Sequence, residues 1–173
     1  AEVSRRLAAI ADEATLVRAV VDEIQAAFGY YHAHVYVWEA DREHLRMVGG
    51  TGSAGQALLE RGHRLPKGRG LVGRAAEHNT TVLVPDTTQN PDWLPNPLLP
   101  DTKAEVAVPI AIGERVLGVL DVQHNVVNGL RAEDAELLQA LAHQVAIALQ
   151  NARAYRDAQA AAEREAQLNL IGQ

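Results

Sequence analysis

The segment 105–123, Glu-Val-Ala-Val-Pro-Ile-Ala-Ile-Gly-Glu-Arg-Val-Leu-Gly-Val-Leu-Asp-Val-Gln, limits what this chain can fold into more than any other stretch. Two apolar, strand-like runs meet at Gly113-Glu114, and glycine at the first position of a two-residue loop is what a type II′ hairpin turn requires. Both runs are rich in Val, Ile and Leu, which places the hairpin inside a sheet rather than at its edge. No side chain in it is suited to covalent chemistry. Its only acidic residues outside the turn are Glu105 and Asp121, and each could reach toward a neighbouring pocket.

Composition narrows the function. The chain has 173 residues, 47% of them apolar and only 4% aromatic, which suits one domain with an aliphatic α/β core plus an extension. Its net charge is −6, from 16 basic and 22 acidic residues, with no basic run. Nucleic acid and anionic membranes are therefore poor partners. The absence of cysteine removes thiol catalysis, disulfides, thiolate metal sites and thioether-linked cofactors together. No apolar stretch reaches the roughly 18 residues of a membrane span, and no signal peptide is visible. The sequence begins with Ala inside a helical pattern, so it reads as a piece of a longer cytoplasmic protein.

The first helix is predicted from an apolar seam: Leu7, Ile10, Ala14, Val17, Val21, Ile24 and Phe28. Thr15 could cap a fresh helical start, and Leu7 and Ile10 in the outer half are assigned to a partner helix. Gly29 ends the helix and residues 31–39 read as a strand. Ala33, Val35 and Val37 share one face; His32, His34, Tyr36 and Trp38 share the other. That second face can line a cavity with hydrogen-bonding edges or be half exposed. The pair His32 and His34 could grip a metal or an anion, or form a satisfied polar strand face. A second strand is expected over 45–49 and a short helical piece near Leu58 and Leu59. The stretch 66–73 lacks P-loop spacing, so Gly70 and Gly73 are read as letting a short helix, 71–78, lie close to the sheet.

After a short strand at 82–84 comes a long irregular segment, 86–101, holding four of the seven prolines. Asp86 or Thr87 could cap one turn there. Long ordered loops are often functional, and Trp93 in its middle either plugs the core or covers a ligand. From about Ala132 to Leu170 one helical pattern runs on the order of 58 Å. Its heptad stripe is Leu138, Leu141, Val145, Ala148, Ala152 and Tyr155. Residues 158–166 have helical propensity without a large apolar face, and are read as a signalling linker pairing in parallel with its copy.

The order of these parts resembles the GAF domain family. The matching residues are Gly68-Arg69-Gly70-Leu71-Val72-Gly73, Val84-Pro85-Asp86, the run from Pro100 to Ile110, Leu117-Gly118-Val119-Leu120, and Glu133-Asp134 followed by the run from Leu141 to Ala152. The subtype is similar to the GAF modules of bacterial multi-sensor histidine kinases and related multidomain regulators. The resemblance implies an α+β fold: a central antiparallel sheet of five or six strands with the terminal helices on one face. A short helix and the long loop would roof a small-molecule pocket on the other. Residues 1–157 would form the domain and 158–173 a helical linker to a following one.

The same resemblance sorts possible ligands. The family's sulfoxide reductase and its covalent bilin photoreceptors need cysteines, which this chain lacks. The cyclic-GMP signature Asn-Lys-Phe-Asp-Glu is broken, with Leu130 at the Phe position and Ala135 at the Glu. Haem would need an axial histidine, for which His78, His124 and His143 are the candidates. The cofactor is therefore unassigned. The reading is a non-enzymatic sensory and dimerisation module that binds a small ligand through His34, Tyr36, Trp38, Asp86, Trp93, Glu105 and Asp121. It would relay the change through terminal helices that join a homodimer at Leu7, Ile10, Leu141, Ala148, Ala152 and Tyr155. The alternatives are a structural transmitter whose pocket is filled by Trp93, Leu98 and Leu99, and a non-covalent haem or bilin sensor.

Overall fold

A computed structural model describes residues 13–172. The chain forms α1 (Glu13–Phe28), β1 (His32–Trp38), β2 (His44–Gly50), α2 (Gly52–Glu60), β3 (Arg64–Pro66), α3 (Gly70–His78), β4 (Val82–Val84), a 3-10 turn (Thr87–Gln89), β5 (Ala104–Ile112), β6 (Arg115–His124) and α4 (Ala132–Ile171). The six strands make one antiparallel sheet in the order β3-β2-β1-β6-β5-β4, as expected of an α+β fold.

The central hairpin β5–β6 closes with Ile112 opposite Arg115. Gly113 has φ +58° and Glu114 does not share the positive φ, which is the type II′ pattern. Both strands are interior. Gly118 marks where β1 crosses closest, since a Cβ there would stand 2.0 Å from the Tyr36 carbonyl oxygen. Pro109 is unusual for an interior strand, because it cannot donate to the ladder. It is tolerated because β4 is so short: the pairing ends at Val82 with Ala107, so β5 has no neighbour on that side at Pro109.

The sheet separates two cores. On one side Ala33, Val35, Val37, Val106, Leu120 and Val122 pack under α1 and α4, meeting Val17, Val21, Leu138, Val145 and Leu149. On the other, Tyr36, Met47, Ala107 and Val119 pack against Leu58 of α2 and Leu71, Val72 and Ala75 of α3. The alternation read in β1 is thus correct, but its polar face is not half exposed: His32, His34 and Tyr36 are all buried. β3 was not foreseen. Its three residues offer no apolar alternation and are strand only because Leu45 and its neighbours on β2 pair with them. Gly73 packs against the backbone of 66–68 rather than against the central sheet.

The α4 stripe needs correction. Leu138, Val145 and Ala152 are buried within this domain, alongside Ala142, Ala146 and Leu149. Ala152 is therefore committed to its own fold rather than to a partner seam. Leu141 and Ala148 are half-buried beside α1, and Tyr155 is 38% exposed. Leu7 and Ile10 lie outside the described residues. The start of α4 is fixed by Asp134, which accepts from the Arg131 backbone N–H at 2.9 Å and from the Tyr30 hydroxyl at 2.7 Å. Glu13 at the start of α1 pairs with Arg153 (2.6 Å) and Arg156 (3.3 Å). Past Ala152 no α4 residue is fully buried, so about 28 Å of helix continues beyond the core. No helix among the described residues is long and apolar enough to cross a membrane.

Candidate functional site

The face of the sheet opposite α1 and α4 carries a cavity of about 360 Å³. Its floor is His34 and Tyr36 of β1, Glu105 of β5 and Gln123 of β6; its walls come from α2, β3 and the start of α3; its roof is residues 94–98. The Pro-rich segment holds this roof through local turns. Asp86 accepts from the Thr88 backbone N–H (3.0 Å) and hydroxyl (2.7 Å), Asn90 Oδ1 from Asp92 N–H, and Asn96 Oδ1 from Leu98 N–H. Trp93 ties it to the sheet, donating from Nε1 to Glu105 Oε1 at 2.8 Å.

Beneath the floor runs a chain of buried polar groups. Thr51 Oγ1 lies 3.3 Å from His32 Nδ1, His32 Nε2 3.2 Å from His34 Nδ1, and His34 Nε2 2.7 Å from Asp121 Oδ2. Gln123 Nε2 donates to the same Asp121 oxygen at 3.0 Å, and the Thr102 hydroxyl donates to Gln123 Oε1 at 2.6 Å. Burial pushes the histidines down, His32 to about 3, with His34 adding to its shift, and His34 to about 4 against a smaller upward pull from Glu105. With both imidazoles neutral, one proton order satisfies every link: Thr51 donates to His32, His32 to His34, and His34 to Asp121. The His32–His34 pair is thus a satisfied polar strand face. The metal-ligand geometry found among the described residues lies elsewhere, at exposed or half-buried Glu39, Asp41 and His44.

Glu105 and Asp121 share the end of this chain. Burial pushes the Glu105 carboxyl well above the usual range, and the charge of Asp121 and a hydrogen bond to it push further the same way. Burial also raises Asp121, against hydrogen bonds from Glu105 and Gln123. The pair holds its proton on Glu105 and its charge on Asp121, as two adjacent buried carboxyls must. Burial raises Tyr36 as well, with the Asp121 and Glu105 charges adding to it, so it stays a phenol. Its hydroxyl makes no hydrogen bond among the described residues, although the side chain is 2% exposed.

The expected site residues divide. His34, Tyr36 and Glu105 line the cavity; Asp121 stands directly behind His34, and Trp93 touches Glu105 from the roof. Trp38 and Asp86 lie outside the lining. Trp38 is on the right face of β1, but two residues beyond Tyr36 is about 7 Å along a strand, and there it sits with Arg42 over its ring. Asp86 is occupied as a turn cap. Of the histidines considered for haem, His78, His124 and His143 are all off the cavity. Arg61, His63, Arg69 and Asn96 line it and were not foreseen. Arg61 and His63 lie on the connection between α2 and β3, Arg69 just before α3 and Asn96 in the Pro-rich segment, so no local pattern marks them as one set.

Residues 10–150 match the model of the GAF domain. Among solved structures the fold is similar to the GAF domain of a phosphoenolpyruvate-protein phosphotransferase from Coxiella burnetii. That pair shares 19% identity and a TM-score of 0.76, over 90% of this chain and 93% of that one. It is similar to the free methionine-R-sulfoxide reductase of Neisseria meningitidis, at 23% identity and TM-score 0.73, over 87% and 86%. It is also similar to the second GAF domain of DevS from Mycobacterium smegmatis, at 22% identity and TM-score 0.68, over 84% and 99%. Comparison with curated protein sequences finds no match. These structural likenesses speak to the fold; the match over most of the length decides the family, and the chain belongs to the GAF domains, a family of sensory and signalling modules.

Proposed function

We propose that this domain is a non-enzymatic sensor that binds a small molecule between the sheet and its Pro-rich roof and relays the change through α4. The observation that carries this reading is a cavity of about 360 Å³ floored by the polar side chains of His34, Tyr36, Glu105 and Gln123. The Tyr36 hydroxyl on that floor makes no hydrogen bond among the described residues, so it is free to pair with a ligand atom. The relay is short. Glu105 and Gln123 face the cavity, while their strand neighbours Val106 and Val122 pack in the core that holds Leu138 and Val145 of α4. A ligand that shifts β5 and β6 favours one α4 position over another, to the extent that it binds the two states unequally.

The setting we infer is a cytoplasmic, homodimeric protein of the histidine-kinase or related signalling type. In it residues 1–157 form the sensor and 158–173 the linker to the next domain. A reductase reading in the manner of the Neisseria enzyme finds no thiol in this chain to use. Native mass spectrometry of the purified chain tests the proposal by reporting a retained small molecule. Leu71→Trp, which fills the cavity from α3, should remove that molecule while the fold persists. The filled-pocket alternative takes support from Trp93 and Leu98 packing on the inner core; it predicts no retained molecule and no effect of added metabolites on melting.

A further inference from the structure

The cavity is electrically polar. At its rim Arg61 and Arg69 are exposed, and neither guanidinium makes a hydrogen bond or ion pair among the described residues. On its floor Glu105 is 7% exposed and Asp121 behind it 0%. No lysine or arginine reaches this carboxyl pair among the described residues, and the basic group touching it, His34, is neutral. Asp121 Oδ1 has no donor from an amide, hydroxyl or ring N–H. A net negative charge is thus buried at one end without a cation, at substantial cost, while two cations stand uncommitted at the other. Between the ends the walls are aliphatic, with Leu58 and Leu71.

Resting on the reading of the cavity as a ligand site, we propose that its ligand is a small zwitterion. Its ammonium group lies against Glu105 and the Tyr36 hydroxyl, its carboxylate at Arg61 and Arg69, and its aliphatic body along Leu58 and Leu71. The ammonium supplies the missing floor cation and donates an N–H to Tyr36 Oη. The carboxylate meets guanidiniums, whose fork geometry suits it. A molecule with one charge leaves one end of the cavity uncompensated, which is how such a site discriminates.

Isothermal titration of the 173-residue chain tests this with leucine, 4-aminobutanoate and 6-aminohexanoate. Each is run beside the carboxylate and the amine that lack one of its charges. At least one amino acid should bind roughly tenfold or more tighter than both of its single-charge analogues. Asp121→Asn, which removes the floor charge, should weaken it about tenfold while sparing the carboxylate analogue, and the Arg61→Ala, Arg69→Ala double variant should weaken amino acid and carboxylate but spare the amine. If Asp121→Asn does not fold, Tyr36→Phe serves at the same end, with an expected loss of about fivefold. The zwitterion is overturned if no amino acid binds, if a single-charge analogue binds as well, or if binding survives the floor variants. Equal binding of single-charge analogues that Leu71→Trp abolishes would leave the cavity as a ligand site and remove only the ligand class. No binding by any probe, together with no retained molecule, would remove both.

Discussion

Glu105 meets three groups that pull on it differently: the Trp93 indole N–H, the Asp121 carboxylate and the cavity itself. Because its folded pKa is raised, the native state keeps a proton that the unfolded chain releases above the ordinary carboxylate range. This group's contribution is therefore full at low pH and falls as pH rises. Glu105→Gln, neutral at every pH, should match the wild type near pH 5 and be more stable by about 1 kcal/mol or more at pH 8; urea denaturation at the two pH values measures it. His32 and His34 act in the opposite direction. Their pKa values are lowered to about 3 and about 4, so acidification below 6.5 protonates the unfolded chain first and destabilises the fold, down to about pH 4 through His34 and about pH 3 through His32. Each histidine contributes at most about 1.4 kcal/mol per pH unit. His32→Asn should flatten part of that slope in melts between pH 6.5 and 4.5. At this scale the sequence reveals which β1 side chains share a face, because the strand period is local. It cannot reveal how far along that face the cavity extends, which is why Tyr36 lines it and Trp38 does not.

Elements are legible in proportion to how much of their cause is local. The hairpin turn at Gly113 and the apolar runs on either side of it need nothing from elsewhere. β3 needs β2, and the inward-facing stripe of α4 needs the sheet, so Ala152 looks like a partner contact until the sheet is placed beneath it. Two substitutions test these assignments by denaturation. Gly118→Val would press against the Tyr36 carbonyl and should cost about 3 kcal/mol. Leu149→Ala, at a fully buried α4 position, should cost about 3 kcal/mol through loss of burial and an unfilled space. The exposed neighbour Ile147 should tolerate the same change with little loss.

For the whole molecule, the sheet is a partition with a ligand-sized space on one side and helices on the other. On the helical side a groove between α1 and α4 is lined by Leu16, Val20, Phe28, Leu141 and Ala148, and the proposed homodimer would cover it. Ala148→Glu should then shift the sedimentation coefficient from dimer to monomer; a wild type that is monomeric at high concentration would remove the dimer. The opposite rim of the partition poses another question, that of self-association. Because β4 stops at its pairing with Ala107, the outer side of β5 is left without a partner just where Pro109 stands. A bare strand margin is a template for stacking one molecule on the next, and a residue with no N–H withholds a donor from that stack. The proline that looks misplaced inside a central strand thus serves to keep neighbouring molecules apart.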